Sequence, residues 1–289
     1  MTDQSDSAHV EDFAGNVWPP ASQQQVLRPP PNRIRRALIL FAGTCLSTWF
    51  TGGVLFSLAL MTTLLAHELG HYIQTRRNGV SASLPYFIPM PISPIGTMGA
   101  VIVMQRGQGD RRSIFDIAIS GPLAGLVPAL LFSIIGLYWS EVVTVSDHQF
   151  GMTLGEPLIF KGLTYLTHGS LVDGQDIALH PLAYAGWVGI FITALNLFPI
   201  GQLDGGHILY ALLLRRAHWV ARLLLMLIAI AVVIWGYWGW SLMILLLLLM
   251  GPDHPPTAND EIPLGTVRTI LGWACLLFVP IGFTPVPFS

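Results

Sequence analysis

Between Ala37 and Ala66 the chain carries no Asp, Glu, Lys, Arg or His, and this run ends directly in His67-Glu68-Leu69-Gly70-His71. A stretch this apolar is compatible with a bilayer, where a helix needs about 20 such residues to cross the hydrocarbon core. Ionisable side chains at its end are costly in lipid and point to function. On a helix His67 and His71 lie one turn apart on one face, the spacing at which two imidazoles bind a single zinc ion. Glu68, about 100° round the same helix, can then act as general base on a water held at that site. The competing reading is a pair of buried, hydrogen-bonded core histidines.

Composition extends the argument to the whole chain. Hydrophobic residues make up 53% and charged residues only 10%, against about 25% charged in an ordinary soluble domain. The expected fold is an all-α polytopic membrane protein. Apolar segments at 37–53, 54–75, 113–138, 181–198, 217–236, 238–251 and 264–283 give six to seven transmembrane helices, of which 238–251 is short for a span. Residues 84–106 read differently. Pro85, Pro89, Pro91 and Pro94 forbid a helix, and Gly99–Met104 forms a short apolar strand, a small membrane-embedded β-hairpin or re-entrant element. A free strand edge there, including Gly99 and Val101, would bind an extended substrate peptide; the alternative is a loop that only caps the site.

Basic residues orient the bundle. With the N-terminus in the cytoplasm every Arg falls on or near that side and only Lys161 lies outside, as the positive-inside rule requires. The 141–180 loop then faces outward and the site opens toward the cytoplasm. Residues 1–32, polar and proline-rich, are expected to form a disordered cytoplasmic tail ahead of a membrane-embedded domain at 33–289. Asp3, Asp6, Glu11 and Asp12 argue against a cleaved signal or transit peptide. Cys45 and Cys275 lie in expected spans, where apolar packing is the default. A net charge of -2 implies no nucleic-acid partner.

Far downstream, Asn196-Leu197-Phe198-Pro199-Ile200-Gly201-Gln202-Leu203-Asp204-Gly205-Gly206-His207 interrupts an apolar helix with proline and glycine. Such a break at membrane depth is tolerated where it is buried in protein or lines a polar cavity. Asp204 is the carboxylate that would join His67 and His71 in a three-ligand zinc site with an open position. His207 is better read as a supporting or packing residue than as a fourth ligand, which would close the site to water. His180 and His254 are expected at the interface. Asp116 is either a buried functional acid or a partner of Arg111 and Arg112. Gly121 and Gly125 read as helix-packing glycines, and Trp139, Trp235, Trp238 and Trp240 as an interfacial belt.

HELGH in an early span, paired with NLFPIGQLDGGHIL in a late one, resembles the site-2 protease family of intramembrane zinc metalloproteases. PYFIP at 85–89, GTMGAVI at 96–102, FDIAISGPLAG at 115–125 and HPPTANDEIPLG at 254–265 are similar to the branch of the plant chloroplast ethylene-dependent gravitropism-deficient and yellow-green proteins. The resemblance implies that His67, His71 and Asp204 hold one zinc per chain. It also implies that Glu68 is the catalytic base and that Asn196 binds substrate near the scissile peptide. The chain departs from many such relatives in one respect: no PDZ or CBS domain is expected in it. The expected activity is endoproteolysis of transmembrane segments of other membrane proteins, in a bacterial cell membrane. A metal transporter and a catalytically silent membrane chaperone are the rival readings.

Overall fold

The computed structural model describes residues 33–104, 108–144 and 153–288, with a short antiparallel ladder between Val10–Glu11 (β1) and Val17–Trp18 (β2). The remainder of the expected tail at 1–32, and Arg106, lie outside the described residues.

Helix α1 (Arg33–Arg77) is helical except at Gly53, where φ is 80° and ψ is -178°. The chain reverses there. Ser57 Oγ donates to the Cys45 carbonyl at 3.0 Å, and the Thr48 and Ser57 hydroxyls lie 2.7 Å apart. Twelve residues of unbroken helix would hold positions 45 and 57 about 18 Å apart. α1 is therefore a helical hairpin with arms 33–52 and 54–77, matching the two apolar segments expected at 37–53 and 54–75. Its arginine-bearing ends return to one side of the bundle.

Helix α2 (Arg111–Tyr138) begins at Asp110, whose carboxylate accepts from the Ser113 N–H at 2.8 Å, the usual way of satisfying a free first-turn donor. It packs along α1 and against α4 (Pro181–Asn196). Gly136 of α2 admits the Ala183 backbone of α4 where these two helices meet, the close approach that small residues allow between membrane helices. The core runs through Phe56, Leu60, Leu64, Ala129, Trp187 and Ile190. At the end remote from the arginines, β5 (Glu141–Thr144) pairs with β6 (Gln175–Ala178), and α3 (Leu158–His168) lies beside α2.

β3 (Tyr86–Met90) and β4 (Gly96–Val101) form an antiparallel hairpin with Tyr86 opposite Val101 and Met90 opposite Gly96. It lies on α1, with Phe87 edge-on to Phe41 at 5.2 Å. Ser47 Oγ donates to the Gly96 carbonyl at 2.6 Å and the Tyr184 hydroxyl donates to the Pro94 carbonyl at 2.8 Å, anchoring the turn deep in the bundle. An Ala82–Met104 bridge brings the chain back to where it left. The hairpin thus enters and leaves on one side, as its sequence suggests.

After α4 the chain breaks at Pro199, which has no N–H to continue a helix, and restarts as α5 (Asp204–Leu213). Within the break the Gly201 N–H finds the Pro252 carbonyl at 3.0 Å. α6 (Arg216–Trp235), a 3₁₀ turn at Trp238–Trp240, α7 (Ser241–Met250), α8 (Thr266–Leu277) and α9 (Val279–Gly282) complete the chain. Three helices, α1, α2 and α6, are long and apolar enough to cross a membrane. Pro181–Asn196, Trp238–Met250 and Thr266–Gly282 are apolar but shorter. These three long helices, α1 being the hairpin, are the part of the expected six to seven crossings that helix length and composition support.

Candidate metal centre

The second arm of α1 carries His67, Glu68 and His71, and the first residue of α5 is Asp204. Their atoms converge. His67 Nε2 and His71 Nε2 lie 3.1 Å apart, and Asp204 Oδ2 lies 3.2 Å from the first and 3.3 Å from the second. Zinc–ligand bonds of roughly 2.0–2.1 Å in a tetrahedron set ligand atoms about 3.3 Å apart. The three observed separations fit one face of such a tetrahedron, leaving the fourth corner open. Two nitrogens and a carboxylate oxygen also suit zinc by type. Among the described residues this is the only group of three or more His, Cys, Asp or Glu placed to hold a metal ion.

The helix opposite prepares the site. His71 Nδ1 donates to the Ile117 carbonyl at 2.8 Å, so in the neutral ring Nε2 is free to act as a metal ligand alongside Asp204. A β-carbon at Gly121 would overlap the His71 imidazole, and one at Gly125 would stand 2.9 Å from His67 Cβ. The two glycines expected to serve helix packing therefore make the room that both imidazoles occupy. Their i, i+4 spacing was visible in the sequence; which side chains they face was not.

Glu68 is buried at 5% exposure and couples electrostatically to His67, His71 and Asp204. Asn196, the last residue of α4, places Nδ2 3.3 Å from His67 Nε2. Val101 is exposed at 49%. Gly99 departs from expectation: its N–H donates to Thr97 Oγ1 at 3.0 Å, and its carbonyl accepts from that hydroxyl at 3.3 Å. Its N–H is thus spent inside β4. On its other edge β4 pairs with β3 alone among the described residues.

Three further expectations meet a definite outcome. Asp116 pairs with Arg268, both carboxylate oxygens accepting from the guanidinium at 2.7 and 2.8 Å. Arg111 instead caps α5, donating to the Ala211 and Leu212 carbonyls at 2.7 and 3.3 Å. His254 is not interfacial but 7% exposed, with His207 Nδ1 2.5 Å from its Nε2. Burial, and then the neighbouring His207 and His218 rings, hold His254 well below the usual imidazole range. His180 is the N-cap of α4, its Nδ1 accepting from the Leu182 N–H at 3.3 Å.

The sequence profile of Peptidase family M50 matches residues 55–234, which contain both halves of this site. The chain belongs to peptidase family M50. The resemblance to site-2 proteases drawn from the motifs thus holds at the level of the family. Curated relatives of this M50 chain include two proteins of Arabidopsis thaliana. The probable zinc metalloprotease EGY1, chloroplastic, is 33% identical over 150 residues, 50% of this chain and 26% of the relative. The probable zinc metalloprotease EGY2, chloroplastic, is 31% identical over 157 residues, 53% and 28% respectively. The EGY1 protein of Oryza sativa subsp. japonica, under the same description, is 34% identical over 153 residues, 50% and 25%. The matched part therefore spans about a quarter of those relatives' length. No solved structure gives a significant match.

Proposed function

We propose that this M50 chain is a zinc endopeptidase that cleaves transmembrane segments of other membrane proteins. The observation that carries the reading is the convergence of His67 Nε2, His71 Nε2 and Asp204 Oδ2 beside a buried Glu68, inside a helix long and apolar enough to span a bilayer. His67, His71 and Asp204 would hold zinc, which would supply Lewis-acid polarisation of a scissile carbonyl and a lowered pKa for an attacking water. Glu68 takes a proton from the attacking water and delivers it to the leaving amine. Asn196, next to His67, holds the substrate backbone near the bond to be cut.

A peptide bond within a substrate helix is shielded and hydrogen-bonded, so the substrate unwinds before attack. The unpaired edge of β4, around Val101, is the docking rail for the unwound strand: backbone pairing supplies binding without side-chain selectivity. The site lies near the arginine-bearing end of the bundle, because His71 is close to Arg76 and Arg77 on α1, and its partner Ile117 is close to Arg111 and Arg112 on α2. By the positive-inside rule that end faces the cytoplasm. Names of the relatives place them in chloroplasts; for this chain we assign a cell membrane.

The test is metal content. Detergent-purified protein is expected to hold about one zinc per chain, as for a three-ligand catalytic site. The His67→Ala, His71→Ala, Asp204→Ala triple variant should hold none. Full retention of zinc by that variant removes the site. Metal flux through liposomes carrying the native chain, undiminished in the Glu68→Gln variant, would favour a transporter instead.

A further inference from the structure

Asp204 sits on α5, which packs on α2, α6 and α8 and makes little direct contact with α1, the bearer of both histidines. α2 packs on both helices, and a further hold on the start of α5 comes from the segment after α7. Residues 251–263 run as a strap across α5 and the start of α2. Pro252 accepts from Gly201, the Ala258 N–H donates to the Gly109 carbonyl, and the Asn259 carbonyl accepts from the Arg111 N–H. The Tyr210 hydroxyl donates to Asp260 Oδ2 at 2.7 Å, and Arg112 Nε donates to the Pro263 carbonyl at 2.6 Å.

The innermost contact of the strap is His254. Its Nδ1 lies 2.5 Å from the Pro255 carbonyl, an oxygen that can only accept, so Nδ1 carries the hydrogen. In the neutral ring Nε2 is then an acceptor, and His207 Nδ1 at 2.5 Å is the donor. Tyr210, on the next turn of α5, stacks on the His254 ring with centroids 4.4 Å apart and planes 20° apart. His207 is three residues after Asp204, hence beside it on one helix face. The hydrogen bond and the stack therefore hold the α5 face that carries the carboxylate.

We infer that His254 is a positioning residue for the metal centre, fixing Asp204 through its hydrogen bond from His207. The inference rests on the zinc site proposed above. It gives the 254–265 stretch, so far only a point of resemblance, a specific task.

Two substitutions separate hydrogen bonding from packing. His254→Phe keeps a ring on Tyr210 but offers no acceptor; His254→Gln keeps an acceptor and loses the ring. Zinc affinity of the purified full chain is measured by chelator competition, and the cobalt-substituted protein gives its visible absorption bands. His254→Phe is expected to weaken zinc about 10–100-fold, the usual effect of losing an outer-shell partner, and to alter the cobalt bands. His254→Gln should stay within a few-fold of the native protein and keep its bands. The reverse order, or native zinc affinity and cobalt bands in His254→Phe, overturns the inference, as does equal loss of folding in both variants. Failure of the native chain itself to bind zinc, or unchanged binding after Asp204→Ala, would instead overturn the metal site.

Discussion

His71 donates from Nδ1 to the carbonyl of Ile117 at 2.8 Å, and that one bond joins the helix of the histidine motif to the helix of the FDIAISGPLAG stretch. It fixes the imidazole tautomer and ring plane, so in the neutral ring Nε2 is free to act as a metal ligand alongside Asp204. Ser120 Oγ donates to the same carbonyl at 2.7 Å. The candidate metal centre is thus assembled from three elements, of which α1 and α5 carry the three candidate ligands.

The glycines of α2 give the first prediction. Gly121→Ala places a methyl group into the space of the His71 ring, so zinc affinity should fall at least 10-fold while the protein remains a membrane-inserted helical bundle. Gly162→Ala, where nothing lies within 4 Å of the added carbon, is the matched control and should change nothing. Equilibrium zinc titration of both variants decides it; native affinity in Gly121→Ala would show that the imidazole has room to move.

The docking rail gives the second. Ala100 and Val101 are opposite Phe87 and Tyr86 in the ladder, and successive residues of a strand point their amides to opposite sides. Proline at the one whose N–H faces the unpaired edge should abolish cleavage of a helical substrate at unchanged zinc content. Val101→Ala should be tolerated. If both proline variants fold, keep zinc and cleave normally, the hairpin is a cap and no rail.

For Asp116, the structure replaces two open sequence readings with an ion pair to Arg268. Both partners are partly exposed, at 22% and 38%, so the pair is worth about 1 kcal/mol or less. A double-mutant cycle of Asp116→Asn and Arg268→Gln should return a coupling of that size in unfolding. Cleavage by Asp116→Asn should remain within a few-fold of native. A loss of activity of 100-fold at native zinc content would make Asp116 part of the chemistry.

Topology gives a further check. In a chain lacking Cys45 and Cys275, a cysteine at the exposed Asp173 should react with an impermeant thiol reagent added to intact cells, and one at the exposed Ser81 should be protected. Labelling at 81 with protection at 173 inverts the bundle.

How much of this was legible in the sequence follows from the range of the interactions. His67, Glu68 and His71 were readable because helical spacing is local, and the break at Pro199 because proline removes a donor wherever it stands. The absence of helix at 84–106 was readable from its prolines, but the strand expected at 99–104 lies at Gly96–Val101, and its partner strand itself contains Pro89. The reversal at Gly53 was readable only as two adjoining apolar segments, since nothing local distinguishes one long helix from two. Long-range geometry was not written in any one segment. Gly121 and Gly125 advertise a close neighbour without naming it, and the neighbours are His71 and His67. His254 sits among prolines and an aspartate at what looks like a loop surface, and its burial depends on Tyr210, His207 and His218, each 36 or more residues away in sequence. Asp116 lay near Arg111 and Arg112, yet its partner is 152 residues away, because α8 packs on α2 while Arg111 turns to the C-terminal end of α5.

The central claim is that Glu68 performs proton transfer at a zinc site built from His67, His71 and Asp204, and the Glu68→Gln variant tests it most directly. Native and variant chains are purified in parallel, their zinc is counted, and single-turnover cleavage of a transmembrane substrate is followed in proteoliposomes. Glutamine keeps size and hydrogen bonding and removes the base, so zinc should stay at about one per chain while the rate falls by about 10²-fold or more. Cleavage at the native rate by a Glu68→Gln variant that holds its zinc would contradict the account.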